Sequence, residues 1–314
     1  MSVRHRLSEF KAGMKPTVKE LKFIITRMRK SPLSIVGIAI ILFFIAIALL
    51  CPILAPPGYP SQGGDPYKMP HEGWTPTPSP PSEDHPFGTT IYQFDIYYGC
   101  IWGTRIAFYV GFLVVGISLA VGLFLGIVSG YYGGAIDEIL MRFTDIIYAF
   151  PGLIFAMALV VAFGRSLTSV LIALSLVGWP TYARVMRSEV LRVKQEDYVE
   201  AAKAVGCSDL RVIVKHVLPN SIYSLLIMAS LDIGGIVLTA AALSFLGLGS
   251  SIGFADWGQI INQSRDWITG APGNALAYWY TFVIPGTFIF TFVLGWNLLG
   301  DALRDVLDPM IRRR

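Results

Sequence analysis

Tyr198-Val199-Glu200-Ala201-Ala202-Lys203-Ala204-Val205-Gly206, closed by Leu218-Pro219-Asn220, is the stretch that decides how this chain is read. It is polar and helix-forming, yet it sits between long apolar runs. Glu, Ala and Lys favour a helix from Asp197 through Val205. Asp197 and Glu200 fall in its first turn, at the positive end of the helix dipole. Gly206 is placed to end it, because glycine takes a left-handed cap without steric cost. Ser208 is expected as the N-cap of a second short helix reaching Val217, which Pro219 is expected to stop. Val199, Ala202 and Val205 share one face, and Leu210, Ile213, Val214 and Val217 share another. Helices this short are marginal in water alone, so they must pack on something. Part of that support can come from the chain itself. Small Ala201 and Ala202 also leave a low ridge suited to a groove on another protein. A plain connector needs neither this length nor this regular capping.

Working outward, the 314 residues are 54% hydrophobic and 15% charged, with mean hydropathy +0.58. Soluble domains carry about a quarter charged residues, so the composition points to an all-α polytopic membrane protein. Six apolar runs approach the ~20 residues needed to cross a bilayer: about 33–54, 106–130, 141–163, 167–187, 221–247 and 280–300. The first lies behind a polar leader and lacks a small-x-small cleavage site, unlike a signal peptide. The implied organisation is an N-terminal segment 1–30, a first span 31–55, a proline-rich loop 56–105, a five-helix core 106–303 with the polar loop 188–220, and a tail 304–314.

Of the 25 lysines and arginines, only Lys68, Arg105, Arg165 and Arg265 fall on the side opposite the 188–220 loop. This asymmetry places that loop and both termini in the cytoplasm, in a plasma (inner) membrane protein. The net charge of +4 therefore reads as topology. No basic-aromatic interleaving in a soluble domain supports nucleic-acid binding. The leader, with Phe10, Met14, Leu21, Ile24, Ile25 and Met28 at loosely helical spacing, reads as an amphipathic helix on the inner lipid surface. Its counterpart across the membrane, the loop, is broken by Pro56, Pro57, Pro60, Pro66, Pro70, Pro76, Pro78, Pro80, Pro81 and Pro86. It is either a docking platform for a soluble protein or a loose cover.

Within the spans, Gly122, Gly126 and Gly130 form a small-residue face for close helix packing. Pro151 and Pro180 are expected to kink their helices. Asp232 is the clearest charge within a span. At mid-membrane it costs about 2.5–3.5 kcal/mol, so it either lines a translocation path or bonds a neighbouring helix. Arg142 and Asp145, three apart, are expected to pair. Cys51, Cys100 and Cys207 have no zinc-type spacing. Cys51 and Cys100 share the external side, where a disulfide between them is chemically allowed.

Trp179-Pro180-Thr181-Tyr182-Ala183-Arg184-Val185-Met186-Arg187, leading into Tyr198-Val199-Glu200-Ala201-Ala202, resembles the dipeptide/oligopeptide/nickel branch of ABC importer permeases. Asn297-Leu298-Leu299-Gly300-Asp301-Ala302-Leu303-Arg304-Asp305-Val306-Leu307-Asp308-Pro309 is similar to that branch's C-terminal signature. Leu243 to Gly249, Asp256-Trp257-Gly258 and Tyr131-Tyr132-Gly133-Gly134 also fit. The likeness covers about residues 85–309. It departs at His216, where the broader family has Ile, and at Thr90, Gln93-Phe94 and Tyr98-Gly99. Asp95 and Arg105 keep the family pattern.

The resemblance implies the type I importer permease fold with six transmembrane helices, of the second-permease kind. It implies a second homologous permease subunit, two ABC ATPase subunits that bind ATP and Mg, and an external solute-binding protein. It makes Glu200, Ala201, Ala202, Gly206, Leu218 and Pro219 the ATPase-coupling residues. Cargo would be di- or oligopeptides, with oligosaccharides or nickel chelates as alternatives.

No Gly-Lys-Ser/Thr phosphate loop occurs, so ATP hydrolysis by the usual chemistry is not expected of this chain. None of its histidines, His5, His71, His85 and His216, lies in a span, which disfavours an intramembrane Ser-His enzyme. An ion-coupled carrier would hold several mid-membrane ionisable groups, and Asp232 stands nearly alone.

Overall fold

The computed structural model describes residues 31–73 and 75–307, and the leader expected to lie on the membrane falls outside them. Among the described residues, ten α-helices carry the chain. They are α1 (Pro32–Leu54), α2 (Ile96–Tyr132), α3 (Gly134–Tyr148), α4 (Gly152–Phe163), α5 (Leu167–Lys194), α6 (Asp197–Ala204), α7 (Asp209–Val212), α8 (Leu218–Phe245), α9 (Trp257–Gln263) and α10 (Tyr280–Leu307). Among the described residues, extended pairing is confined to isolated bridges. Five segments of the described residues are long and apolar enough to cross a membrane. The sixth is the pair α3–α4, bent by 84°. The bend falls at Pro151, the N-cap of α4, so this proline interrupts the span. Pro180 lies inside α5, which continues through it as one helix.

The bundle is organised on α2 against α5, its most extensive helix pair. The glycine stripe makes this contact. A Cβ on Gly126 would lie 2.6 Å from the Ala183 carbonyl oxygen, and one on Gly130 would lie 2.9 Å from that of Arg187. One turn earlier, Gly122 faces Tyr182 and the Trp179 carbonyl. Backbone thus meets backbone along three turns of both helices. On the other side of α2, an aromatic cluster binds α1, α9 and α10. Phe44 meets Phe292 at 5.2 Å and Trp257 at 6.1 Å between ring centres, and Phe108 meets Phe292 at 5.1 Å.

The ends of the bundle differ. At the loop end, α2 begins at Ile96, well before position 106, because Asp95 caps it by accepting from the Tyr98 amide at 2.9 Å. The proline-rich loop is a folded cap and not a loose cover. Buried Gln62 accepts from the Gly58 and Tyr59 amides and donates to the Lys68 carbonyl. Buried Gln93, in a left-handed conformation (φ 60°), accepts from Ser79 and Thr89 and donates to Thr75 and the Thr77 carbonyl. Residues 67–69 pair with 253–255. There Asp256, fully enclosed, caps α9 and accepts from Ser244 at 2.6 Å, Ser250 at 2.8 Å and the Gly258 amide at 3.0 Å. Burial outweighs these bonds and pushes its carboxyl above the usual range. Cys51 and Cys100 are both buried, free thiols.

Candidate functional site

At the opposite end, α5 runs on to Lys194 and turns into the hairpin of α6 and α7. The helix α6 ends as glycine dictates. Gly206 takes φ 83°, its amide donates to the Lys203 carbonyl at 2.9 Å, and that of Cys207 donates to Ala202 at 3.1 Å. This double bond pattern is a Schellman cap. Ser208 stands at the N-cap of α7 in extended conformation, but its hydroxyl makes no capping bond. Pro219 does not stop the second helix. α7 passes through a π turn at Ile213–Val217 straight into α8, where Pro219 occupies the first turn. Proline brings no amide hydrogen to the ladder, and it sits directly after the π turn, where the ladder changes register.

The hairpin has an anchored face and an open one. Val199, Ala202, Val212, Ile213 and Val217 are buried with Val190 and Val193 of α5. Polar bonds fix the same side. Tyr131, at the end of α2, donates to Asp209 at 2.6 Å, and Lys194 donates to the Tyr131 carbonyl at 2.5 Å. The ammonium of Lys203 lies 5.0 Å from the Tyr131 ring centre, within cation–π range. Outward, Val205 is 80% exposed, Leu210 72% and Val214 52%. Glu200, Ala201 and Gly206 are exposed beside them, Ala202 is buried and Leu218 is half-buried. The two apolar faces expected from the sequence are therefore each split. Val199, Ala202, Ile213 and Val217 hold the hairpin to its own bundle. Val205, Leu210 and Val214 point away.

Ion pairs lock the neighbouring turns. Arg187 of α5 donates twice to Asp137 of α3, each bond 2.6 Å, and Ser129 also donates to this carboxylate. Asp145 pairs with Arg184 of α5 at 2.6 Å, and that guanidinium lies 4.2 Å from the Tyr148 ring centre. The expected Arg142–Asp145 pair is thus not formed. α5 brings a closer cation to Asp145, and Arg142 reaches only Glu138, at 3.8 Å and well exposed. Asp232, mid-way along α8, accepts from Tyr182 at 2.7 Å and stays half-exposed. The same α5–α8 seam carries Glu189, which accepts from Ser224 at 2.7 Å. Sequence reasoning missed the Asp137–Arg187 and Tyr131–Asp209 links. Their partners are far apart in the chain, and the only available signal was the presence of charges beside spans. No group of three His, Cys, Asp or Glu side chains able to hold a metal ion occurs among the described residues.

This architecture, helices throughout with a polar hairpin between two spans, is that of the transmembrane subunits of ABC importers. The methionine ABC transporter MetNI in its inward-facing form shares the fold, with a TM-score of 0.53 over 67% of this chain and 96% of that one, at 17% identity. Residues 122–313 match the family described as the binding-protein-dependent transport system inner membrane component. Residues 22–70 match the N-terminal TM domain of oligopeptide transport permease C. The chain belongs to this permease family. It is 38% identical to the dipeptide transport system permease protein DppC of Alkalihalophilus pseudofirmus over 91% of this chain and 88% of that protein. It is 36% identical to the glutathione transport system permease protein GsiD of Pectobacterium atrosepticum over 87% and 85%. The protein is therefore a multi-pass membrane permease of an ABC importer.

Proposed function

We propose that this permease imports short peptides, and that its hairpin is the surface gripped by a partner ATPase. The observation that carries the reading is the apolar row Val205, Leu210 and Val214, held outward on an otherwise well-anchored hairpin. A soluble chain end would bury those side chains, and a lipid-facing one would not flank them with Glu200 and Lys203. The hairpin end, with both chain termini, is cytoplasmic, in line with the distribution of lysine and arginine. Two ATPase subunits bind ATP and Mg. A second, related permease completes the path, and a solute-binding protein delivers cargo at the folded cap. The cargo is taken from the relatives named for dipeptides and glutathione, which favour peptides over sugar oligomers or nickel chelates. Glu200, Ala201, Ala202 and Gly206 form the docking ridge, and Leu218 and Pro219 join it to α8. Asp232 faces the path or the second permease, because a half-exposed carboxylate facing lipid would be costly. Arg142 and Asp145 belong to the surface of α3, where Asp145 is tied to Arg184 of α5.

The test is ATP-driven uptake of a labelled dipeptide by the assembled transporter. Glu200→Lys and Gly206→Trp should each lower uptake several-fold at normal membrane levels of the protein. Wild-type uptake in both would remove the hairpin from the mechanism. The isolated chain should hydrolyse ATP at background rate only.

A further inference from the structure

Arg105 lies on α2 and faces α1 at the loop end. Four arginines of the hairpin half, Arg142, Arg184, Arg187 and Arg192, each have a carboxylate within 4 Å. Arg105 has none among the described residues. Its Nε donates to the Ala48 carbonyl at 2.5 Å, and its guanidinium lies 5.1 Å from the centre of the Trp102 ring. Its two terminal nitrogens meet no acceptor among the described residues. Ala48 sits roughly 9 Å of helix rise below the end of α1 at Leu54, so the charge lies in the outer part of the span, within a long side chain's reach of the polar interface. A long side chain at that depth keeps its head at the polar interface while its stem lies in apolar surroundings.

Below the guanidinium runs a cavity of about 420 Å³, lined by Ile45, Ala48 and Leu49 of α1, Phe108 and Phe112 of α2, and Trp296 of α10. The groove is apolar except at its Arg105 end. It opens beside α1, most of whose surface is exposed and which lies outside the matched permease core of residues 122–313. Trp296 Nε1, at its inner wall, is buried without a hydrogen-bond partner among the described residues.

We propose that this groove is a binding site for one phospholipid. The phosphate takes the free fork of Arg105, and one acyl chain lies along Phe108, Phe112 and Ile45. Charge complementarity decides the occupant. An unpaired guanidinium at the membrane interface needs an anion, Arg forks match phosphate geometry, and only a lipid brings an anion joined to a chain that fills the apolar half.

The experiment is native mass spectrometry of the intact transporter, released from nanodiscs of phosphatidylglycerol and phosphatidylethanolamine. Wild type and Leu50→Phe, on the other face of α1, should each retain one phospholipid per copy of this chain. Arg105→Gln and Ala48→Phe should lower that occupancy at least tenfold. Ala48→Phe keeps the arginine and fills the groove, so it carries the test if Arg105→Gln misfolds. Unchanged occupancy in Ala48→Phe would overturn the proposal. So would retention of inorganic phosphate without lipid, or efficient cross-linking of Leu49→Cys to the second permease, which would show that a protein covers the groove.

Discussion

The two ends of the bundle handle exposed chain in opposite ways. At the loop end, Gln62, Gln93 and Asp256 are buried and bonded within the chain, and aromatic side chains close over α9. At the hairpin end, polar groups are equally well partnered, through Tyr131, Asp209 and Lys194, but apolar Val205, Leu210 and Val214 are left open. The loop end folds over much of its own chain, although Ile252 and Leu276 stay exposed there and Gln259 and Gln263 keep buried polar atoms without a partner among the described residues. The other is rigidly presented and incomplete. Rigidity without closure is what a docking surface needs, since little ordering entropy is then lost on binding.

The largest effect is expected where the two ends are joined. Gly126→Leu would drive a side chain into the α5 backbone at Ala183, at a cost of about 3 kcal/mol or more. Size-exclusion profiles in detergent should show loss of monodisperse protein, and a normal profile would mean that the α2–α5 seam is looser than described. Next comes the open face. Leu210→Glu should weaken association with the ATPase subunits at least tenfold, read by co-purification, and leave the melting temperature of the permease within a degree or so. A fall in melting temperature instead would mean that Leu210 serves the fold and the contrast between the ends is false.

The closed end responds in stability alone. Asp256→Ala removes an N-cap and strands two hydroxyls, at a cost of ~1–2 kcal/mol. Its pH response has a defined sign. The folded carboxyl is raised by burial, so its contribution to stability is complete below the ordinary aspartate range and is lost as pH rises through the elevated value. Asp256→Asn should flatten the melting temperature against pH from about pH 4 upward, and an unchanged slope would place the titration elsewhere. The smallest effect is expected at Asp145→Asn, where a pair about half-exposed on both sides should yield under ~1 kcal/mol of stability.

Much of this was legible in the chain. The spans, the glycine stripe and the Gly206 turn follow from periodicity, small-residue spacing and the steric freedom of glycine. Three things were not. Pro219 was read as a stop, because a proline after a polar helix usually ends it, and only the tertiary path shows it sitting in a first turn. Arg142 and Asp145 share a helix face, but spacing could not show that α5 supplies Arg184. The proline-rich loop carries no periodicity at all, and its order comes from buried glutamines whose partners lie many residues away. At the candidate site, the sequence marked the hairpin but not which side chains face inward. Ala201 and Ala202 look equivalent, yet one is exposed and the other buried.

The unbroken passage from Asp209 to Phe245 has a mechanical meaning. At 1.5 Å per residue it is a rod about 55 Å long, with Leu210 near one tip, Asp232 beyond its middle and the Asp256-bonded Ser244 at the far tip. Its one departure from α-geometry is the π turn at Ile213–Val217, a little above the first tip. A sideways displacement applied at that tip swings the remainder as a lever about this fulcrum, and the long arm moves farther than the short one.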